Sequence, residues 1–206
     1  MKPLLSVIIV NYKVKHFLLQ CLQSVYQSAC NFDFEVIVID NHSQDDSMDA
    51  VEKEFPQIIS IRNQENLGFS KANNQGIRMA KGEFVLLLNP DTVVHENAFQ
   101  ASVDAMLADE KIGGLGIKMV DGKGNFLPES KRGLPSPSVA FYKIFGLSSL
   151  FPRSKKFGKY HLGHLSAEEN QEVEILAGAY MMMRKKALEE VGLLDETFFM
   201  YGEDID

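Results

Sequence analysis

Two cysteines in 206 residues, Cys21 and Cys30, cannot make a disulfide framework; both fall in one stretch of helical pattern and read as reduced thiols of a cytoplasmic protein. Long apolar runs are missing too, since none approaches the ~20 residues that span a bilayer. The N-terminus sets Lys2 ahead of apolar residues 4–10 but has no small-residue cleavage site and runs straight into Asn11-Tyr12-Lys13. It therefore reads as a first strand, not a secretory signal. Basic charge is scarce as well. With 21 Lys or Arg against 28 Asp or Glu, a net charge of -7 and a pI near 5.3, the chain lacks the clustered cations that hold phosphate backbones, which argues against a nucleic-acid partner. Its one basic cluster, Arg153, Lys155, Lys156 and Lys159, follows the apolar segment 141–151. A solvated loop is the simpler reading of it, and a rest on an anionic surface the other. Glycine is absent just after the first strand. That excludes the Gly-x-Gly-x-x-Gly turn of a dinucleotide oxidoreductase and the glycine-rich, arginine-bearing loop of a sugar nucleotidyltransferase. Acidic residues are absent there too, which argues against a receiver-like module. The chain has no internal repeat and no low-complexity tract.

What is present suits one substantial domain with a buried core: 45% of the residues are hydrophobic. Residues 5–10 form the first strand. The helix after it places Val14, Phe17, Leu18, Cys21, Leu22, Val25, Tyr26 and Ala29 at a 3.6-residue period. Residues 35–40 form a second strand ending on Asp40-Asn41-His42-Ser43, where Ser43 and Asp46 suggest a helix N-cap ahead of the buried stripe Met48, Val51 and Phe55. A third strand at 58–62 precedes an unusually polar helix start, Asn66-Leu67-Gly68-Phe69-Ser70-Lys71-Ala72-Asn73-Asn74. Asparagine is a poor former of helix interiors, so these amides point to a role beyond packing.

The apolar run 85–88 reads as a strand covered on both faces, and Asn89-Pro90-Asp91 ends it. Proline cannot continue a sheet ladder, so an amide and a carboxylate are presented just past the carboxyl end of a buried strand. Open α/β sheets bind ligands at that edge, although Asn, Pro and Asp are also ordinary turn residues. A helix at 98–107 would turn Phe99, Val103, Met106 and Leu107 inward. Four strand–helix alternations predict an α/β fold, a mainly parallel central sheet with helices on both faces. Further on, residues 113–120 read as a strand and residues 128–169 as a long irregular excursion with at most short helices. Order resumes at 173–184, where residues 178–183 read as another strand, and a short helix at 185–191 is closed by Gly192.

In this order, Val7-Ile8-Ile9-Val10-Asn11-Tyr12, Val38-Ile39-Asp40-Asn41-His42-Ser43, Asn66-Leu67-Gly68-Phe69 with Asn73-Asn74, Leu88-Asn89-Pro90-Asp91, Gly178-Ala179 with Arg184, and Gly202-Glu203-Asp204-Ile205-Asp206 resemble the family-2 inverting glycosyltransferases of GT-A fold. Asn-Pro-Asp together with Phe199-Met200-Tyr201 is most similar to the rhamnosyltransferase-like branch. The resemblance covers almost the whole chain and implies one glycosyltransferase domain over 1–206, with a nucleotide-sugar-binding half at 1–110 and an acceptor-side half at 111–206. It implies that Asn11 and Tyr12 hold base and ribose. Asp40 would accept a hydrogen bond from the imide N–H of uracil or thymine, although the same carboxylate could simply cap the following helix. Asn66, Gly68 and Asn73 would lie near the nucleotide and its phosphates, Asp91 would bind Mg2+ or Mn2+, and Asp204 would be the catalytic base with Glu203 beside it.

Two departures carry consequences. Asn89 stands where many members of the family have the first Asp of an Asp-x-Asp motif, which weakens the metal site and leaves Asn89 to hydrogen-bond the donor's ribose or phosphate. The acidic motif is also normally followed by further segments, so the chain is expected to be truncated on its acceptor side. The implied partners are a nucleoside-diphosphate sugar of UDP or dTDP type and a glycan or lipid-linked acceptor, with peripheral association at the inner membrane face. The alternative from another class is a degenerate member that binds nucleotide without turnover.

Overall fold

The computed structural model describes residues 2–199. Those residues form two compact units, one from residues 2–115 with 178–199 and the other from 116–177.

The first unit is built on a six-stranded sheet of β1 (Leu5–Asn11), β2 (Phe34–Asp40), β3 (Ile59–Arg62), β4 (Phe84–Leu88), β5 (Gly114–Leu115) and β6 (Tyr180–Arg184). Its order is β3-β2-β1-β4-β6-β5. The pairs β1/β2, β1/β4 and β2/β3 are parallel, while β6 runs antiparallel to both β4 and β5. The apolar runs in β1, β2 and β4 are buried throughout except at Val10, Phe34 and Glu35, as central strands covered on both faces require. The mainly parallel α/β sheet expected from the sequence is the one observed, flanked by helices α1 (Lys15–Tyr26), α2 (Ser47–Glu54), α3 (Gly68–Met79), α4 (Ala98–Ala108) and α7 (Lys185–Val191).

The helical stripes are narrower than their periodicity suggests. On α1, Leu18, Cys21, Leu22 and Val25 are buried, but Phe17 is 55% exposed; the helix ends at Tyr26, which leaves Ala29 and Cys30 in the loop beyond. On α4, Phe99, Val103 and Met106 face inward while Leu107 is 52% exposed. In each helix the misplaced residue neighbours a buried one, where 100° of rotation per residue carries it past the edge of the buried arc. The helix after β2 starts at Ser47, and Ser43 is not its cap. Asp45 accepts from the Ser47 amide at 2.9 Å, and the Ser43 hydroxyl turns back to Asp40. The strand expected at 113–120 shrinks to Gly114–Leu115, with one isolated bridge between Val120 and Phe126 around the Asp121 turn. There the Asp121 carboxylate accepts from the amides of Lys123 and Asn125, so a side chain supplies what a ladder would otherwise supply.

Helix α3 lies close on β1. A Cβ added at Gly76 would stand 2.6 Å from a methyl carbon of Ile8, so only glycine allows this approach.

The second unit contains a 3-10 turn at Pro128–Ser130 and the helices α5 (Pro137–Ile144) and α6 (Leu147–Leu150), as the irregular composition of this stretch predicts. Ser136 caps α5 by accepting from the Val139 amide at 3.3 Å, with Pro137 at the first helical position. Val139, Leu162, Ile175 and Ala177 are its buried apolar residues. Among the described residues no helix is long and apolar enough to cross a membrane. The cysteines are free, as expected.

Candidate active site

The parallel register fixes the geometry of the site. Asn11 and Asp40 are partners at the last position of β1 and β2, and Ile9 pairs with Leu88, so Asn89-Pro90-Asp91 leaves the same carboxyl edge of the sheet one strand away. At that edge lies a buried polar cluster. The Asn11 Nδ2 donates to Asp40 Oδ1 at 2.8 Å and to Ser43 Oγ at 3.0 Å. Asp40 also accepts from the Ser43 hydroxyl and, on Oδ2, from the Ser43 amide at 3.0 Å. Lys13 N donates to Ser43 Oγ at 2.9 Å, which ties the loop after β1 to the loop after β2.

Both loops hold left-handed residues that are not glycine: Lys13 (φ 58°) after β1, His42 (φ 65°) and Gln44 (φ 57°) after β2. Such conformations cost of order 1 kcal/mol each and persist where the surroundings over-determine them, which here the Asp40–Ser43–Asn11 cluster does. Tyr12 is 42% exposed beside it, with Lys13 Nζ 5.1 Å from its ring centroid.

One atom of the cluster is unmatched. Asn11 Oδ1 is buried and has no hydrogen-bond partner. Turning the amide over would set its oxygen against the Asp40 carboxylate, so the observed orientation is the favourable one and an acceptor is left open. Asp40→Ala is expected to destabilise the fold by about 1–3 kcal/mol, because it removes the acceptor of the Ser43 amide and one of the two acceptors of the Asn11 amide; a urea titration reads this directly.

The neighbouring loop is held by the same kind of bond. Asn41 Nδ2 donates to Gly68 O at 2.9 Å, Asn63 Nδ2 donates to Asn41 Oδ1 at 3.0 Å, and Asn66 Oδ1 accepts from the Gly68 amide at 2.9 Å. Gly68, at φ 79°, opens α3, and a Cβ there would fall 2.3 Å from Phe199 O. That carbonyl accepts from Phe69 N at 2.8 Å. Asn73 spends its amide donor within α3, on Phe69 O at 3.0 Å. Asn74 holds the distant tail, donating to Leu194 O and Glu196 Oε1 and accepting from Leu194 N. Of the two helix asparagines, Asn74 therefore accounts for a long-range tie.

Beyond β4, Asn89 is fixed through its backbone. Its amide donates to Ala179 O at 3.1 Å, and its carbonyl accepts from Thr92 N at 3.2 Å and the Cys21 thiol at 3.6 Å. Burial, with the negative charge of Asp91 adding to it, pushes the Cys21 thiol up to about 12, so it is protonated at neutral pH. Asp91 is exposed, and its carboxylate makes no hydrogen bond or ion pair among the described residues. A lone carboxylate fits a hard divalent cation that draws its other ligands from a diphosphate and water; it does not make an all-protein cage, and no three-residue group among the described residues could.

The strand ends bring together Asn11, Asp40 and Asn89, with Tyr12 and Asp91 one and two residues beyond them, and the Asn41 bond draws in the Asn66–Gly68 turn. Glu203 and Asp204 lie outside the described residues. Asn41, Ser43 and Asn63 were not among the candidates, although Asn41 and Ser43 stand in the same four-residue run as Asp40.

The chain is 29% identical to the N-acetylglucosaminyl-diphospho-decaprenol L-rhamnosyltransferase of Mycobacterium tuberculosis, over 100% of the chain and 69% of that protein. It is 28% identical to the low-salt glycan biosynthesis hexosyltransferase Agl10 of Haloferax volcanii, over 98% of the chain and 59% of that protein. Among solved structures, the mannosyltransferase PcManGT of Pyrobaculum calidifontis, in complex with GDP-Man and Mn2+, superposes with a TM-score of 0.65 at 19% identity, over 99% of this chain and 50% of that one. TarS of S. aureus in complex with UDP gives 0.64 at 21%, over 100% and 53%. The chain thus spans about half the length of these solved structures, and with them it shares the GT-A fold. The profile of glycosyl transferase family 2 matches residues 6–192, nearly the whole chain, and the chain belongs to that family.

Proposed function

We propose that this chain transfers a sugar, with inversion, from a nucleoside-diphosphate donor of UDP or dTDP type to a glycan or lipid-linked acceptor in the synthesis of a cell-surface polysaccharide. The observation that carries this reading is the open acceptor on Asn11 Oδ1, buried beside Asp40 at the carboxyl edge of the sheet. A nucleoside supplies matching donors: its imide N–H for the free lone pair of Asp40 and a hydroxyl for Asn11. Tyr12, exposed at the rim, offers a face for the base. The Asn66–Gly68 turn, held by its own hydrogen bonds, lets backbone approach the phosphates, and the uncommitted side chain of Asn89 faces the ribose or phosphate.

Asp91 is the residue that would hold Mg2+ or Mn2+, an ion that offsets charge growing on the leaving diphosphate. Asp204 takes the proton from the acceptor hydroxyl as that oxygen attacks the anomeric carbon from the face opposite the leaving group, and Glu203 assists. The relatives support the acceptor class, since one of them is named for a diphospho-decaprenol acceptor and another for glycan biosynthesis. With such an acceptor the enzyme would work at a membrane surface, which we take to be the cytoplasmic face. The sequence departure that favours a degenerate, binding-only role is Asn89 in place of a first aspartate.

Calorimetric titration with UDP, GDP, dTDP and NAD, each with and without Mn2+, tests the donor. Metal-dependent binding of UDP or dTDP is expected. A preference for NAD, or no diphosphate binding, overturns the reading.

A further inference from the structure

Charge is unevenly distributed along the chain. Residues 130–167 contain seven Lys or Arg and no Asp or Glu, whereas the rest of the sequence carries a formal charge of -14. Lys143, Arg153, Lys155 and Lys156 are exposed, and none of them has an ion-pair partner among the described residues. The same stretch exposes large apolar side chains: Phe141 at 51%, Ile144 at 80%, Phe145 at 65%, Leu150 at 69% and Phe151 at 49%. Positions 141 and 144 of α5 and Phe145 at its C-terminal cap share one stripe, and the rings of Phe141 and Phe145 lie 4.3 Å apart against each other. Only Val139 of α5 is buried.

Tyr142 and Phe151 both pack on Phe157, and Lys156 Nζ lies 5.6 Å from the Phe157 ring centroid, so cation and rings stand together. We propose that this basic, aromatic stretch of the second unit docks on an anionic lipid surface. Cations beside exposed aromatic and aliphatic side chains match lipid phosphates beside acyl chains, and a lipid surface satisfies both at once. A second copy presenting the same residues would set the exposed cations Lys143, Arg153, Lys155 and Lys156 against their own like. The inference deepens the membrane-face placement proposed above and rests on it, while the donor-site reading does not enter.

The test is sedimentation of the 206-residue chain with vesicles of phosphatidylcholine, with and without phosphatidylglycerol. Binding is expected only with phosphatidylglycerol, and to weaken as salt rises. Ile144→Ser with Phe145→Ser should weaken it about tenfold, and Lys155→Glu with Lys156→Glu should remove the preference for anionic lipid. Both pairs should keep the wild-type circular dichroism and UDP or dTDP affinity. No vesicle binding, or binding indifferent to both pairs, overturns the proposal; a concentration-dependent dimer lost in the Ile144/Phe145 variant would give the stripe to a second copy instead. Vesicle binding without diphosphate binding would remove the donor reading alone.

Discussion

Asp204→Asn is expected to abolish sugar transfer while nucleotide affinity stays within about twofold of the wild type. Asparagine keeps the size of the side chain but cannot accept a proton, and a positioned general base contributes about 10²- to 10⁴-fold to such a step. The effect should therefore fall on kcat and kcat/KM together, with little change in donor binding. Titration and steady-state transfer assays on the same preparation separate the two. Normal turnover in this variant would withdraw the base assignment from Asp204, and Glu203→Gln would be the next substitution to assay.

The second large effect is expected at Asp91. Its carboxylate stands exposed and uncommitted beyond β4, so Asp91→Asn should leave the fold's stability unchanged within about 0.5 kcal/mol. Losing the sole carboxylate proposed for the cation should weaken UDP or dTDP binding in Mn2+ by roughly 10- to 100-fold, and affinity without metal should barely move. Equal nucleotide affinity with and without Mn2+ in the wild type would end the metal role. The change should also register nearby. Part of what raises the Cys21 thiol is the negative charge of Asp91, with burial the larger cause, so the variant should leave that thiol high but less so.

These predictions start from residues that could be read without coordinates. Buried parallel strands have short apolar runs that end on polar turns, and that pattern located β1, β2 and β4 and the edge they share. Asp40 and Asp91 were legible because each closes such a run or follows it by a turn. Other features were not legible, for identifiable reasons. The pairing of β6 beside β4 is antiparallel and reaches across about ninety residues, which no local period encodes. Asn74 looked like an amide with a role beyond packing because a helix interior disfavours it; that role is a tertiary tie to Leu194 and Glu196 that overrides propensity. Ser43 looked like a cap because hydroxyl and carboxylate spacing suits one, but the nearby Asp40 competed for its hydroxyl and won. Phe17 and Leu107 sit one residue from buried positions, and periodicity resolves no finer.

β4, the most apolar strand of the sheet, pairs on one side with β1 and on the other with residues 180–184. A ribosome delivers the first four strands long before that second neighbour emerges, so the Phe84–Leu88 edge must wait unpaired while the second unit is made. A fragment cut near residue 110 would keep the polar cluster around Asp40 yet expose the backbone groups along that edge, a template for pairing with another copy. A half bounded near residue 110 would therefore not be a separable body: its central strand is completed by residues 180–184.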